Sequence, residues 1–257
     1  MSTCLIGFTG YVGSTLLAQT TFNDLYNSKN IADITGKEYD LIVCAAAPAV
    51  KWKANQNPEE DFKNIESIKG YLKTVSAKQF ILISTVDVYK DPRGVDENTE
   101  INPEEVAPYG RHRFYLEEFV RDTFANHLVV RLPGLFGPGL KKNFIYDLIH
   151  TNCLHLTHHK SVFQFYNLES LWSDIKLALS HSLFLVNFTT EPVSAREVAE
   201  SSLSVLFDNE TDNAPVSYDM QSRYSHFYNE HGQGYFKNKK EILLEISEFV
   251  NKERARL

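Results

Sequence analysis

The sequence predicts an α/β fold built on a doubly wound parallel sheet, and three observations carry that prediction. A short apolar run, Cys4-Leu5-Ile6, closes on a glycine turn and passes into residues 12–17, which can form a helix. Apolar runs recur at residues 41–44 and 80–83, as strands buried on both faces should read, and residues 128–132 read as a further strand. Helical patterns fill the intervals, so strands alternate with helices and the sheet is parallel.

Taken in order, residues 22–26 are a short second strand. Only residues 27–40 separate it from the third strand, too few for a full crossover helix, so the second α/β unit is cut down. The third strand ends in Ala45, Ala46 and Ala47, small residues against which a bound cofactor can lie. Pro58 opens a helix that runs to about Val75. The fourth strand ends in Ser84-Thr85, and a Pro- and Gly-containing loop leads to Pro108, which suits a first helical turn. Tyr115, Leu116, Phe119 and Val120 give that helix an apolar stripe. The predicted strand order is 3-2-1-4-5, followed by later strands. From Pro133 the pattern loosens, with helices at 143–150, 168–179, 194–206 and 239–250, a strand at 183–188 and an irregular stretch at 211–234. Ser194 with Glu197 reads as a capping box. The predicted organisation is a nucleotide-binding domain over residues 1–135 and a smaller substrate-side lobe over 136–257, part of which returns to the sheet.

Bulk properties exclude several classes. The chain has 257 residues, 43% hydrophobic and 23% charged, enough for a sizeable core. Its formal net charge of -7 argues against nucleic acid as a partner, since phosphate binding needs clustered Lys and Arg. Cys4, Cys44 and Cys153 make an odd count, two of them within apolar runs, which reads as reduced thiols in a cytoplasmic protein rather than a disulfide framework. No apolar run reaches the length of a membrane span, and the first breaks at Gly7, too early for a signal peptide.

The chemistry starts at Gly7, Gly10 and Gly13. A glycine turn between a first strand and a helix lets backbone approach a pyrophosphate, with N–H groups and a helix N-terminus aimed at its charge. The cofactor-binding set predicted here is Gly7, Gly10, Tyr11, Val12 and Gly13, joined by Ala45, Ala46 and Ala47. Three further residues line up at strand ends. Thr85 follows the fourth strand, Tyr109 begins the next helix, and Arg113 lies one turn further on the same face. A tyrosine works as an acid or base near neutral pH when a neighbouring cation favours its ionised form.

These pieces, in this order, resemble the extended short-chain dehydrogenase/reductases of the NAD-dependent epimerase/dehydratase family. GFTGYVG resembles that family's glycine motif, ISTVDVY its Ser/Thr-bearing strand end and PYGRHRFYLEEFV its catalytic-tyrosine helix. VVRLPGLFGPGL, FYNLESLW and LVNFTTEPVSAREVAE are similar to its later landmarks. The resemblance implies a Rossmann-type domain and hydride transfer by a nicotinamide. It implies Tyr109 as acid/base, Thr85 as its hydroxyl partner, nucleotide-linked sugars as substrates, and a homodimer paired through residues 59–75 and 108–124. The chain departs from the family in two places. Arg113 stands where Tyr-x-x-x-Lys has lysine, and Gly134 stands where the family often has a substrate-contacting Asn. An NAD(P)-binding sensor or assembly protein without catalysis is the rival reading, and these departures favour it.

Cofactor choice turns on the tip of the second strand, where an acid would take the ribose of NAD and a cation the 2′-phosphate of NADP. Ser28 and Lys29 there lean toward NADP. Asp87 is a candidate substrate contact or a loop cap, and Lys141, Lys142 and Asn143 are candidates for a substrate phosphate or carboxylate, or else a solvated turn. His155, His158 and His159 cluster in sequence, but closed zinc patterns are missing and no metal is expected. Trp52, between Lys51 and Lys53, reads as a loop aromatic or a substrate contact.

Overall fold

The computed structural model describes residues 1–230 and 233–257. The first strand, β1 (Thr3–Ile6), lies between β2 (Asp24–Tyr26) and β3 (Glu38–Cys44), and both pairs are parallel. Next comes β4 (Ser76–Thr85), then His127–Leu132, then Leu185–Asn187, which completes a six-stranded sheet. Helices α1 (Tyr11–Gln19), α2 (Lys51–Gln56), α3 (Pro58–Leu72) and α4 (Pro108–Thr123) fall between these strands.

The predicted order 3-2-1-4-5 is corrected. In chain order the sheet runs 2-1-3-4, then the fifth and sixth strands, so the third strand adjoins the first. The reason lies in the shortened second unit. Residues 27–37 hold only the 3₁₀ turn Ile31–Ile34, and no strand forms there to extend the sheet beyond β2. Ile42, Val43 and Cys44 have no solvent exposure, which suits a central strand with ladders on both sides. The edge falls instead to three-residue β2, and short edges resist further pairing.

The chain divides into two units. The first comprises residues 1–90, 99–132 and 169–186. Its core packs Ile6, Ile42, Cys44, Phe80 and Leu82 of the sheet with Ile65 and Leu72 of α3 and Leu116 and Val120 of α4. The later helix Leu171–Ser180 joins it beside α1, where Gln19 Oε1 accepts from Trp172 N at 2.8 Å. The second unit comprises residues 91–98, 133–168 and 187–257. Helices Phe144–His150, Ala195–Leu203 and Lys239–Arg254 build its core, with Phe136, Phe144, Ile145, Val198, Ile242 and Ile246 buried. Against the predicted 1–135 and 136–257, residues 169–186 return to the first unit and residues 91–98 belong to the second. There Arg93–Val95 pairs with Asp219–Met220, and Glu97 accepts from Ser222 Oγ at 2.6 Å. The capping box at Ser194 and Glu197 forms as read. The expected irregular stretch 211–234 contains that short strand and the helix Ser225–Tyr228, while its residues 231 and 232 lie outside the described residues.

One ionic cluster fixes the carboxyl end of β4. Glu117 of α4 is fully buried and accepts from Arg131 Nη2 at 2.6 Å, from Ser84 Oγ at 2.6 Å and from Arg121 Nη2 at 2.9 Å. Arg131, itself 1% exposed, also donates to the Tyr89 hydroxyl at 2.7 Å. Removing one partner of such a cluster leaves a buried charge uncompensated. Glu117→Ala is therefore expected to lower unfolding stability in urea by about 3 kcal/mol or more, the typical cost of stranding a buried charge. A loss below about 1 kcal/mol, the range of exposed pairs, would contradict this account.

Candidate active site

The glycine turn is packed more tightly than any side chain allows. Gly7 has φ 89°, and a Cβ there would stand 2.4 Å from the Ala45 carbonyl oxygen. A Cβ at Gly13 would stand 2.1 Å from the Gly7 oxygen. These contacts hold β1, the start of α1 and the end of β3 together. Gly10 caps α1 without a side-chain hydrogen bond. The first-turn amides at Tyr11, Val12 and Gly13 thus start a helix at the carboxyl edge of the sheet, the arrangement that suits a pyrophosphate. Ala45, Ala46 and Ala47 lie beside it, the last two packed against the core. The residues present therefore fit a dinucleotide.

Ser28 and Lys29 are exposed just beyond β2. The strand's own acid, Asp24, sits at its opposite end. Its carboxylate accepts from the hydroxyls of Tyr39 and Tyr26 and from Lys37 Nζ, the last two at 3.1 Å. The acid of β2 is thus committed at the strand's amino end.

Tyr109 and Thr85 come together. Thr85 ends β4 and caps the 3₁₀ turn Val86–Val88, its Oγ1 accepting from Asp87 N at 3.2 Å. The Thr85 hydroxyl lies near the Tyr109 phenol and favours its ionised form. Tyr109 is 9% exposed. Burial raises its pKa above the ordinary value; Arg113 opposes this, Asp87 adds to it, and Lys51 and the nearby Thr85 hydroxyl lower it. What brings α4 this close is Gly110, a residue that the sequence reading passes over. A Cβ there would lie 1.8 Å from the Asp87 carbonyl oxygen and 2.8 Å from Val106 Cγ1. The signal was available as a glycine inside a helix directly after the candidate tyrosine, since such glycines have a packing reason.

Arg113 is 2% exposed and held on several sides. Its Nη1 donates to Asp61 Oδ2 and, at 3.2 Å, to the Tyr109 carbonyl, while its Nη2 donates to the Pro48 carbonyl. The guanidinium carbon stands 4.1 Å from the centre of the Tyr109 ring. His112 Nδ1 meets the same Asp61 oxygen at 2.8 Å. Arg113 thus ties α3, α4 and the loop after β3 together, and its charge is balanced by a buried carboxylate. Asp61 was missed as well. It occupies the apolar face of α3 in step with Ile65 and Leu72, and an acid on such a face calls for a buried partner.

Lys51, known from sequence only as a neighbour of Trp52, places its Nζ 2.6 Å from Asp87 Oδ1. One turn later Asn55 accepts from Tyr109 N at 3.0 Å. Trp52 lies on α2 rather than in a loop and is 66% exposed.

The remaining candidates belong to the second unit. Lys141 and Lys142 are exposed. Asn143 caps Phe144–His150, accepting from Tyr146 N at 3.2 Å and donating to the Leu135 carbonyl at 2.8 Å, so its amide is committed to the backbone. At Gly134 a Cβ would meet the Gln164 carbonyl oxygen at 2.9 Å, which leaves little room for an Asn. Glu210 supplies the acidic partner that spacing hid from the histidines, 3.8 Å from His159 Nε2. However, Arg196 donates to His159 Nδ1 at 2.5 Å and Lys160 N donates to His158 Nδ1 at 3.0 Å. Both neutral rings then carry their proton on Nε2, where a metal would need a lone pair.

The family model of the NAD-dependent epimerase/dehydratase family matches residues 18–172, and the chain belongs to that family. No curated protein sequence matches it. Among solved structures it is similar to a dTDP-4-dehydrorhamnose reductase of Clostridium acetobutylicum, at 17% identity, TM-score 0.71, covering 98% of this chain and 99% of that one. It is also similar to MoeE5 in complex with UDP-glucuronic acid and NAD, at 15% identity, TM-score 0.74 and full coverage of both chains. A third is a dTDP-4-dehydrorhamnose reductase of Bacillus anthracis in complex with NADP, at 15% identity, TM-score 0.73, covering 98% and 99%. These likenesses show a shared Rossmann-type fold. No helix among the described residues is long and apolar enough to cross a membrane.

The close approach at Gly110 yields a direct expectation. Gly110→Ala forces α4 away from the Asp87 carbonyl, which should cost about 1–3 kcal/mol, the usual range for overpacking, measured by denaturant unfolding. An unchanged midpoint would show that the helix does not pack here as described.

Proposed function

We propose that the protein is an NAD(P)-dependent reductase or epimerase acting on a nucleotide-linked sugar or a similar polar carbonyl or alcohol, with NADP favoured over NAD. The observation that carries this reading is the approach of Tyr109 to Thr85 at the end of β4, in the same unit as an intact glycine turn. Structural relatives named for such chemistry, with UDP-glucuronic acid and NAD or with NADP in their complexes, support it.

In this mechanism the glycine turn and the first turn of α1 would hold the pyrophosphate through backbone N–H groups, with Ala45 to Ala47 beside it. Ser28 and Lys29 would take the 2′-phosphate. The nicotinamide, when bound, supplies or accepts hydride at its C4. Thr85 orients the substrate oxygen through its hydroxyl, and Tyr109 gives that oxygen a proton on reduction or removes one on oxidation. Arg113 holds the Tyr109 ring from behind and favours its ionised form. Asp87 and the Lys141–Asn143 segment are candidate substrate contacts, of which the two lysines have side chains open to solvent. The same reading includes a homodimer through α3 and α4.

The buried, acid-balanced Arg113 favours the rival, a cofactor-binding protein without turnover, and one experiment separates the two. Hydride transfer to sugar nucleotides is followed by nicotinamide absorbance, and binding by cofactor fluorescence. NADPH should bind more tightly than NADH. Tyr109→Phe should lower kcat by about 10²–10⁴-fold, the range for a lost general acid, and leave NADPH binding nearly unchanged. Retained turnover in Tyr109→Phe removes Tyr109 from the chemistry; binding without turnover by the unaltered protein establishes the rival.

A further inference from the structure

A buried tyrosine that donates a proton in each cycle must be reprotonated. The family's lysine, at the fourth position after the tyrosine, is a group that can exchange protons. Arg113 cannot, because a guanidinium keeps its protons at any pH a protein tolerates. Its Nη donors are also turned toward Asp61, Pro48 and the Tyr109 carbonyl. Among the described residues one other basic group acts on the phenol, Lys51. Lys51 pairs with Asp87 at 2.6 Å, and its side chain is 48% exposed against 3% for Arg113. Asp87 follows Thr85 by two residues and donates its N–H to the Thr85 hydroxyl. The helix that carries Lys51 is fixed to the start of α4 by Asn55, which lies one turn on and accepts from Tyr109 N.

We propose that Lys51, held by Asp87, is the proton-exchange residue for Tyr109, connecting the buried phenol to solvent in place of the lysine that α4 lacks. This rests on the reading of Tyr109 as the acid/base of the reaction. In the reductive direction Tyr109 passes its proton to the substrate oxygen and becomes phenolate. The Lys51 ammonium then gives a proton to the phenolate, and the neutral amine takes one from a buffer acid or water at the exposed end. Charge and protons balance, and no other reactant is needed. Burial raises the phenol's pKa above its ordinary value, so the phenolate takes a proton from the Lys51 ammonium readily. Asp87 holds Lys51 in place between transfers. The charged groups facing the phenol are Lys51 from α2, Asp87 from the turn after β4 and Arg113 from α4, the last balanced by Asp61 of α3.

Lys51→Ala, Lys51→Arg and the unaltered protein are compared in kcat across pH, with and without ethylammonium. NADPH fluorescence titration reports whether each variant keeps its site. Phenol ionisation is read without cofactor, as the ultraviolet difference from the corresponding Tyr109→Phe protein. Lys51→Ala should lose at least about ten-fold in kcat, within the span of a proton-transfer contribution, with KM little changed, and ethylammonium should restore part of the loss. Lys51→Arg should stay low, since it keeps charge without an exchangeable proton. The Tyr109 ionisation midpoint should rise in Lys51→Ala and stay near its original value in Lys51→Arg. Activity of Lys51→Arg equal to the unaltered protein, absence of amine rescue, or an unmoved midpoint in Lys51→Ala each overturns the proposal. Failure of the underlying reading looks different: the unaltered protein then transfers no hydride, or Tyr109→Phe remains active.

Discussion

The contact on which the site depends is the one between the backbone of Gly110 and the carbonyl of Asp87. Only a residue without a Cβ lets α4 come so near the end of β4. That approach puts the Tyr109 phenol within reach of the Thr85 hydroxyl, two groups separated by a loop and a helix start in sequence. The ionic cluster around Glu117 holds the same junction from inside. It ties α4 to Ser84 on β4, and through Arg131 to Tyr89 beyond the turn. A glycine sets the spacing, and a buried network keeps it.

Arg113 shows how one substitution redistributes several roles. A lysine ammonium at that position is a compact charge that can turn toward a cofactor ribose. The guanidinium is planar and larger, and it presents its donors in a fixed fork. Here the fork meets a buried carboxylate and two backbone carbonyls, so the group acts chiefly as a clamp across α3, α4 and the loop after β3. Asp61 is the counterpart that makes this burial tolerable, because an isolated guanidinium in that environment would be costly. A charge that serves the fold in this way is less available to move with the chemistry, which is why a second, half-exposed cation at the same tyrosine matters.

Much of this was legible in the sequence, for identifiable reasons. The four longer strands of the sheet announced themselves because residues buried on both faces leave continuous apolar runs, and Pro108 and the Ser194–Glu197 box marked helix starts by local chemistry. Gly7, Gly13 and the alanines of the β3 end stood out because their work is steric. The strand order was not legible: whether Glu38–Cys44 sits outside β2 or beside β1 depends on what residues 27–37 can span. The two- and three-residue strands of the second unit were also missed, being too short to show a period. At the candidate site, the residues proposed for the chemistry were read, and those that position them were not. Gly110, Asp61 and Lys51 act through partners distant in sequence, and Glu210 reaches the histidines the same way.

The most direct test of the central claim is a crystal structure of the protein with NADPH and a bound sugar nucleotide. The account requires the pyrophosphate on the amides of residues 10–13 and the reactive carbon about 3–3.5 Å from the nicotinamide C4, the span of a near-attack geometry. The Tyr109 hydroxyl must then hydrogen-bond the substrate oxygen. A pyrophosphate bound away from the glycine turn, or a Tyr109 hydroxyl facing neither substrate nor nicotinamide, would contradict it.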